Sequence, residues 1–307
     1  MRRAAKQLRS RLADGAAGAL LAAARTSPAL ERGAVGALRH TRTVPGTEAV
    51  RSRFRKDLLD HLIGQEQRLR PVALPGGLTL WIDPVGLLGD LYFYGVPREP
   101  ETVRFVRQQL RPGDVFVDVG ANEGYFALIA AGCVASTGHV YAFEPNPTLM
   151  RQLERQVASN RLDDVLDLVQ LAVSDRDAEA LEFFVSQDPS NTGISSLTPW
   201  DGHLESGALT SEATIQVPVT TLDSWTRRVG LERMDMVKID VEGAEQHVVA
   251  GMAQCIERLR PRHIICEAGA RGAAAASLRE AGYRMTVLEW LRADVQWGNL
   301  AFSREDV

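Results

Sequence analysis

Short apolar runs alternate with longer amphipathic segments along residues 115 to 303, and this alternation predicts strands separated by helices. The apolar runs predict strands at 115–119, 139–143, 166–173, 235–240, 262–267, 284–289 and 298–303. The segments with helical spacing predict helices at 125–133, 147–159, 243–258 and 273–281. Because strands that are apolar throughout need cover on both faces, the pattern predicts a parallel sheet between two layers of helices. A ligand site is expected at the carboxyl ends of its strands.

The beginning of the chain has a different pattern. Apolar side chains recur at helical spacing between arginines in residues 1–25, at Leu8, Leu12, Ala16, Ala19 and Ala23. This spacing predicts a basic amphipathic helix. Its apolar run, residues 16–24, is far shorter than the roughly 20 residues that a membrane-spanning helix needs, so no transmembrane segment is expected. Residues 26–70 predict a linker that contains one short helix near 54–63.

Three further elements are predicted before residue 115. An alternating segment from Val72 predicts a hairpin, and Leu91–Tyr94 predicts an aromatic strand or turn. A helix is predicted from Pro100 to Leu110, because proline is well tolerated in the first turn of a helix. We therefore divide the chain into a basic helical N-terminal extension with a linker, residues 1–70, and one α/β domain, residues 71–307.

Composition adds one feature that the hydrophobic pattern does not show. With 45% hydrophobic and 24% charged residues among 307, the chain is not largely disordered. Its net charge is -4, yet residues 1–56 hold 13 Lys and Arg against 3 Asp and Glu, whereas residues 57–307 hold 22 against 36. The basic amphipathic helix predicted at residues 1–25, which we call the basic arm, is expected to be a solvated helix, or else to contact an anionic membrane or an acidic partner protein. Three cysteines without close spacing indicate no disulfide framework, so a reducing cytoplasm is the expected setting.

The strongest candidate for a ligand-binding turn is Asp118–Gly124, DVGANEG, which joins a predicted strand to a predicted helix. Its two glycines permit a tight turn, and the helix start that follows offers free N–H groups. A dinucleotide-binding GxGxxG pattern fails at Asn122 and Tyr125, whereas a methyltransferase-type GxGxG pattern departs only at Asn122. Glu144 ends the next predicted strand, where a carboxylate can accept hydrogen bonds from both hydroxyls of a ribose.

Seven sequence pieces occur in an order that resembles the FkbM family of S-adenosylmethionine-dependent methyltransferases. They are YFYG with EPET, RPGDVFVDVGANEGYF, YAFEPNP, LAVSD, NTGISSL, VTTLDSW and VKIDVEGAE, and they cover roughly residues 75–303. The resemblance implies a class I methyltransferase (Rossmann-like) fold: an α/β, doubly wound seven-stranded sheet with its last strand antiparallel, here with an N-terminal helical and hairpin extension. It also implies O-methylation of a hydroxyl on a small molecule such as a natural product, a sugar or a glycolipid.

The same resemblance implies a binding site for S-adenosylmethionine. Four residues would surround the methionine part of the cofactor: Asp118, Gly120, Asn122 and Gly124. Glu144 would hold the ribose. Three residues at the end of the third predicted strand would lie beside the adenine: Ala172, Val173 and Ser174. Asp175 would either accept a hydrogen bond from the adenine amino group or belong to a plain polar turn.

Methyl transfer to a hydroxyl also needs a group that takes or polarises the hydroxyl proton. Asp240 and Glu267 end neighbouring predicted strands, so they are candidates for a general base with an orienting partner, or for two ligands of Mg²⁺. No third oxygen ligand is evident, and Mg²⁺ is therefore not favoured and no metal site is assigned. Glu242, at the start of the next predicted helix, is a further catalytic candidate.

The long insertion at residues 186–214 is rich in Ser, Gly and Thr. Loops of this length in compact domains are commonly lids or binding loops, or are disordered. We therefore interpret the insertion as a candidate substrate lid and predict that Trp200 and the catalytic candidate His203 contact the acceptor.

Two other functions remain open at this point. One is an NAD-dependent oxidoreductase, which the departures from GxGxxG disfavour. The other is a non-catalytic nucleotide-binding scaffold whose basic arm recruits partners. Nucleic acid is not an expected partner. Residues 57–307 carry a net negative charge, and the sequence does not interleave aromatic with basic residues. The sequence does not indicate an oligomeric state.

Overall fold

A computed structural model describes residues 15–63, 65, 68–186, 188, 195–197 and 213–304. The chain divides into two compact units. Unit 1 contains Met1–Val72 and Ile82–Arg98, and unit 2 contains Ala73–Trp81 and Glu99–Val307. Among the described residues, none of the helices combines the length and apolar character that a membrane crossing requires.

Unit 1 is mainly helical. Its helices in the described residues are α1 (15–24), α2 (Pro28–His40), α3 (Glu48–Leu62) and α4 (Gly89–Tyr94). Pro28 lies in the first turn of α2, and the side chain of Ser27 accepts a hydrogen bond from the Leu30 N–H at 3.2 Å. The prediction of one helix within a linker is therefore wrong, because residues 26–70 contain both α2 and α3. The strand or turn predicted at Leu91–Tyr94 is helical.

A buried ion pair lies inside unit 1. Arg70 donates to both carboxylate oxygens of Glu31, at 2.7 Å and 2.8 Å, and the Tyr92 hydroxyl donates to the same carboxylate at 2.6 Å. All three residues are buried. A charge can be buried at moderate cost only when it is paired and hydrogen-bonded, and Glu31 meets both conditions.

Two short strands, β1 (Arg70–Ala73) and β2 (Thr79–Ile82), flank a turn. The Leu74 N–H donates to the Leu78 carbonyl in this turn, which agrees with the hairpin predicted from Val72. The later strands, in chain order, are β3 (Val115–Val119), β4 (His139–Phe143), β5 (Leu166–Val169), β6 (Ala172–Val173), β7 (Ala178–Phe184), β8 (Thr214–Thr220), β9 (Met236–Ile239), β10 (His263–Gly269), β11 (Arg284–Arg292) and β12 (Trp297–Ser303).

Seven of these strands form the main sheet, in the order β11-β12-β10-β9-β3-β4-β5. The pairs from β10 through β9, β3 and β4 to β5 are parallel. β12 is antiparallel to both of its neighbours, β10 and β11. The predicted class I methyltransferase fold, with a doubly wound seven-stranded sheet and an antiparallel last strand, is confirmed. The strand order reverses between β3 and β9, which is where such sheets bind their ligands.

Apart from a break in one predicted helix and an unpredicted helix at Leu222–Arg228, the predicted pattern agrees with the helices of unit 2. They are α5 (Pro100–Gln109), α6 (Tyr125–Val134), α7 (Pro147–Asn160), α8 (Leu222–Arg228), α9 (Glu245–Ala250), α10 (Ala253–Arg258) and α11 (Ala273–Glu280), with 3₁₀ turns at Ala135–Thr137 and Ala293–Val295. The single helix predicted at 243–258 is broken between α9 and α10. At this break a Cβ on Gly251 would lie 2.0 Å from the Ser174 carbonyl oxygen, so only glycine fits.

The strand predicted at 166–173 is two strands in different sheets. β5 ends at Val169, and the Leu171 N–H then donates back to the Val169 carbonyl at 2.9 Å. This tight turn redirects the chain, so that β6 pairs with β8 in a small three-stranded sheet of order β6-β8-β7. Periodicity could not show the turn, because the residues on both sides of it are apolar.

Candidate active site

The glycine turn, which we define as residues 119–124, begins at the carboxyl end of β3. Gly120 has a φ of 85°, and its N–H donates to the Phe143 carbonyl at 3.0 Å. A Cβ at this position would lie 1.9 Å from the backbone carbonyl oxygen of Asp240. Gly120 is therefore required both by its backbone conformation and by the close approach of the chain after β9.

The second half of the glycine turn also has left-handed backbone. Asn122 has a φ of 50° and Gly124 a φ of 87°. Asparagine tolerates this conformation better than most residues, which explains why it can replace the middle glycine of a GxGxG pattern. A Cβ on Gly124 would lie 2.7 Å from a side-chain carbon of Leu153 in α7. The two glycines thus let the turn pass close to its neighbours, and α6 starts directly after it.

Glu144 connects the end of β4 to the glycine turn. Its carboxylate accepts hydrogen bonds from the Asn122 N–H and the Asn146 N–H, both at 2.9 Å. Burial raises the pKa of Glu144 to about 7, although these two N–H groups lower it. Each carboxylate oxygen has a second lone pair, so Glu144 can hold the turn and still accept hydrogen bonds from two hydroxyl groups.

Asp118 is a buried carboxylate of β3 that lies near Lys238. It is 1% exposed, and neither of its carboxylate oxygens has a hydrogen-bond partner among the described residues. Burial raises the pKa of Asp118 to about 6, and the nearby Lys238 ammonium opposes this effect. Buried acids are normally hydrogen-bonded, so an acid without a partner indicates a site for a ligand that donates hydrogen bonds or carries positive charge.

Asp240 and Glu267 lie side by side at the same edge of the sheet. Ile239 of β9 is in register with Cys266 of β10, and each candidate follows one of these residues directly. Asp240 accepts a 2.7 Å hydrogen bond from Lys238, a buried lysine whose ammonium also lies over the Phe126 ring. The sequence-based prediction missed Lys238. A lysine in a strand that is otherwise apolar was the available signal.

The surroundings of Glu267 include residues from β12. The Trp297 indole N–H donates to Glu267 at 3.0 Å, and Asn299 donates to Glu99 at 3.0 Å. Burial and the neighbouring Asp240 carboxylate together raise the pKa of Glu267 to about 8. Trp297 and Asn299 were also missed, because they lie on the last strand, far in sequence from the motifs.

The other catalytic candidates are placed differently. Glu242 has a φ of 55° in the turn after β9 and is half-buried. Its neighbour Glu245 is buried and accepts hydrogen bonds from the N–H groups of Gly243 and Val241, so it stabilises this turn. His203, like Trp200 and most of the predicted lid, lies outside the described residues. Within the described part of the chain, no group of three or more His, Cys, Asp or Glu side chains could hold a metal ion.

The residues predicted beside the adenine lie in and after β6 rather than at the end of the third sheet strand. Three of them are buried: Ala172, Val173 and Ser174. The Ser174 N–H donates to the Thr220 carbonyl of β8. Asp175 is exposed and pairs with His247 of α9 at 3.0 Å, and the hydrogen bond from His247 lowers the pKa of Asp175. Both readings of Asp175, adenine acceptor and polar turn, stay open.

The family model of the methyltransferase FkbM domain matches residues 118–285, more than half of the chain. The chain belongs to the FkbM methyltransferase family. It is therefore a methyltransferase, and the family implies use of S-adenosylmethionine. This assignment takes the place of the oxidoreductase and scaffold alternatives that the sequence had left open.

Relatives whose names state a methyltransferase activity agree with the assignment. The 31-O-demethyl-FK506 methyltransferase FkbM of Streptomyces tacrolimicus is 30% identical, covering 69% of this chain and 88% of that protein. The 2-O-methyltransferase NoeI of Sinorhizobium fredii is 27% identical, covering 53% of this chain and 69% of that protein. The hexuronic acid methyltransferase AglP of Haloferax volcanii is 24% identical, covering 52% of this chain and 58% of that protein.

The residues of this FkbM-family methyltransferase fit S-adenosylmethionine on two structural grounds. The glycine turn, which Gly120 holds against the chain after β9, leads directly into α6, and the first N–H groups of a helix suit the carboxylate of the cofactor. Asp118 supplies a buried carboxylate without a hydrogen-bond partner in the described residues, which suits a ligand with ammonium and sulfonium charges.

Proposed function

We propose that this methyltransferase transfers a methyl group to a hydroxyl oxygen of a small molecule, such as a natural product, a sugar or a glycolipid. The observation that carries the proposal is the pair of carboxylates, Asp240 and Glu267, at neighbouring strand ends beside the glycine turn. An alcohol is a poor nucleophile at neutral pH, so its methylation benefits from a base within reach of the hydroxyl proton. The names of the relatives from S. fredii and S. tacrolimicus, both O-methyltransferases, support the same acceptor chemistry.

In this proposal the cofactor site has three parts. Four residues surround the methionine part: Asp118, Gly120, Asn122 and Gly124. Glu144 accepts hydrogen bonds from the ribose hydroxyls. Four residues border the adenine: Ala172, Val173, Ser174 and Asp175. When bound, S-adenosylmethionine supplies an electrophilic methyl group on a positively charged sulfur. The remaining task of the chain is to hold the acceptor oxygen in line with that methyl group, and orientation of this kind can supply about 7–11 kcal/mol of the rate acceleration.

In this proposal Asp240 orients the acceptor hydroxyl and Glu267 accepts its proton. Asp240 accepts a 2.7 Å hydrogen bond from the Lys238 ammonium, which fixes the position of its carboxylate, and Asp240 is therefore suited to orient the acceptor. The pKa of Glu267, raised to about 8 by burial and by Asp240, is close to the pH at which such enzymes work, which suits a general base. Glu242 is a further candidate for contact with the acceptor. A Mg²⁺ ion is not part of the proposal.

The remaining elements are proposed as follows. The insertion 186–214 covers the acceptor as a lid, with Trp200 and His203 in contact with it. The basic arm, residues 1–25, is either a solvated helix or a segment that contacts an anionic membrane surface or an acidic protein. The three cysteines are free in the structure, and we propose a cytoplasmic location.

Methyl-labelled S-adenosylmethionine tests the acceptor chemistry directly. Incubation of the purified protein with the labelled compound and an extract of its own cell is expected to place the label in an ether-linked methyl group of a small molecule. Mass spectrometry and base-stability of the product check this result. Label found instead in N-methyl groups, protein or nucleic acid would contradict the proposal.

Glu144→Gln tests the ribose assignment. We expect this change to lower the affinity for S-adenosylhomocysteine at least about 100-fold, because hydrogen bonds to a charged acceptor contribute about 1.5–3 kcal/mol each. An amide at this position also turns an N–H donor toward the N–H of Asn122 or Asn146. Isothermal titration calorimetry measures the effect. The matched control is Glu154→Gln on the exposed face of α7, which is expected to bind like the wild type.

A further inference from the structure

Polar side chains of α7 pair with the backbone of one strand in unit 2. Gln156 accepts a hydrogen bond from the Trp81 N–H at 2.9 Å and donates to the Trp81 carbonyl at 2.6 Å. One helical turn later, Asn160 accepts from the Thr79 N–H at 2.7 Å and donates to the Thr79 carbonyl at 2.8 Å. Both side chains therefore bond to backbone as a neighbouring strand would.

The two periodicities match closely enough for this pairing to repeat. Four residues along a helix rise about 6 Å. Two residues along a strand rise about 6.6 Å. Gln156 and Asn160 are four residues apart on α7, and Trp81 and Thr79 are two apart on β2, so each amide lies opposite one strand residue. The two amides thus bond the backbone N–H and carbonyl groups of Thr79 and Trp81.

Gln156 makes one contact that Asn160 does not make. Its amide nitrogen also donates to the backbone carbonyl of Glu123, at 3.1 Å. Glu123 belongs to the glycine turn, and a Cβ on the next residue, Gly124, would lie in van der Waals contact with the Gln156 side chain, at 3.5 Å. Gln156 is 1% exposed, so water does not compete for these hydrogen bonds.

Further hydrogen bonds hold the glycine turn at its other end. The Gly120 and Ala121 N–H groups both donate to the Phe143 carbonyl, and Asn122 donates to Glu144. The hydrogen bond from Gln156 is received by Glu123, immediately before α6 begins. Hydrogen bonds therefore hold the glycine turn on two sides: to Phe143 and Glu144 near the proposed ribose site, and to Gln156 of α7.

We propose that Gln156 is a positioning residue for the methionine part of the cofactor, because it fixes the Glu123 end of the glycine turn to α7 and to β2. The inference rests on the proposed cofactor site. Gln156 lies outside the sequence pieces that resemble the family, and nothing in its local sequence separates it from a residue on a solvated helix face.

The test compares two substitutions of similar size that remove an amide. Gln156→Met removes the hydrogen bonds to Trp81 and Glu123. Asn160→Leu removes those to Thr79 and to the Gln156 carbonyl but none to the glycine turn. Two ligands report on the site. S-adenosylhomocysteine contains the methionine-derived part, and 5′-methylthioadenosine contains the nucleoside and the sulfur without the amino acid group. Calorimetry gives both affinities, and thermal unfolding gives the stability of each variant.

Both variants are expected to unfold at lower temperature, because each loses hydrogen bonds to β2. Only Gln156→Met is expected to weaken S-adenosylhomocysteine, by about tenfold, while its affinity for 5′-methylthioadenosine changes less than about twofold. Equal effects of the two variants on S-adenosylhomocysteine, or equal effects of Gln156→Met on the two ligands, would show that Gln156 only stabilises the fold and would overturn the inference.

Failure of the proposed cofactor site would give a different result. The wild-type protein would then bind neither ligand, and the inference about Gln156 would fall with the site. If Gln156→Met does not fold, Gln156→Glu takes its place in the same comparison. Glutamate keeps an acceptor for the Trp81 N–H but loses the donor to Glu123 when it is ionised. The same loss of preference for S-adenosylhomocysteine is expected, and an unchanged preference would overturn the inference.

Discussion

Replacing Gly120 with alanine is expected to abolish detectable binding of S-adenosylhomocysteine and to lower the free energy of unfolding by at least about 3 kcal/mol. The φ of 85° alone is unfavourable for a residue with a Cβ. The added carbon would also lie 1.9 Å from the Asp240 carbonyl oxygen. Neither backbone can move freely, because Gly120 donates to Phe143 and Asp240 donates to Val119. The turn must therefore rearrange.

Gly282→Ala is the matched control for this prediction. Gly282 has nearly the same φ, 87°, but no atom lies within 4 Å of a Cβ at that position. We expect this change to cost about 1–2 kcal/mol and to leave binding unchanged. Chemical denaturation and calorimetry compare the two variants. Binding by Gly120→Ala at wild-type affinity would show that the glycine turn does not form the cofactor site.

The second large effect is expected for Asp118→Asn, which should weaken S-adenosylmethionine by at least about tenfold at pH 8 and stabilise the ligand-free protein. The loss of affinity follows because an amide cannot neutralise a cationic ligand. The gain in stability follows because burial raises the pKa of Asp118 to about 6. A shift of about two units costs about 3 kcal/mol when the group is ionised, and an unpaired amide costs about 1–2 kcal/mol, so a net gain of about 1 kcal/mol remains.

The pH dependence of these quantities separates Asp118 from other groups. A raised acid pKa destabilises the fold above about pH 6, and this penalty is lost as the pH falls through 6 toward the ordinary value of 3.8. The advantage of Asp118→Asn in stability should therefore shrink between pH 7 and pH 4. Affinity of the wild type for S-adenosylmethionine should fall as Asp118 takes up a proton.

Two comparisons control this experiment. Glu144 titrates in both proteins, so the difference between wild type and Asp118→Asn reports Asp118 together with the effect of its charge on the pKa of Glu144. Asp164→Asn makes the same change at an exposed position and should alter neither stability nor affinity. An Asp118→Asn protein that binds S-adenosylmethionine as tightly as the wild type at pH 8 would exclude Asp118 from the cofactor site.

The fold of unit 2 was largely predictable, because its strands are continuous apolar runs with turn residues at both ends. β3, β4 and the antiparallel β12 lie where the pattern or the resemblance placed them. The errors have local physical causes. The strand predicted at 166–173 is interrupted by a backbone turn at Leu171, and the helix predicted at 243–258 is interrupted where Gly251 meets Ser174. In both places hydrophobic periodicity continues across the break.

Unit 1 was less predictable, because the prolines and glycines of residues 26–70 indicated a linker although α2 is amphipathic. Pro28 begins α2 instead of ending a helix, which is the position at which proline is best accommodated. Leu91–Tyr94 is rich in aromatic residues, and this composition favoured a strand. The helix α4 that forms there instead contains Tyr92, whose hydroxyl reaches Glu31 across 61 residues of sequence. A contact of this kind overrides local propensity.

The sequence by itself determined the methyltransferase family, the strands of the main sheet, and the residue types at the glycine turn, but not the small sheet of β6, β7 and β8 or the helix α8. These features depend on interactions within a few residues or on motifs that are continuous along the chain. Only the tertiary structure decided why Gly120 must be glycine, which partner orients Asp240, and that Gln156 reaches Glu123. Each of these depends on sheet register and helix packing, which bring together backbone and side chains that are distant in sequence, and no local pattern encodes such distances.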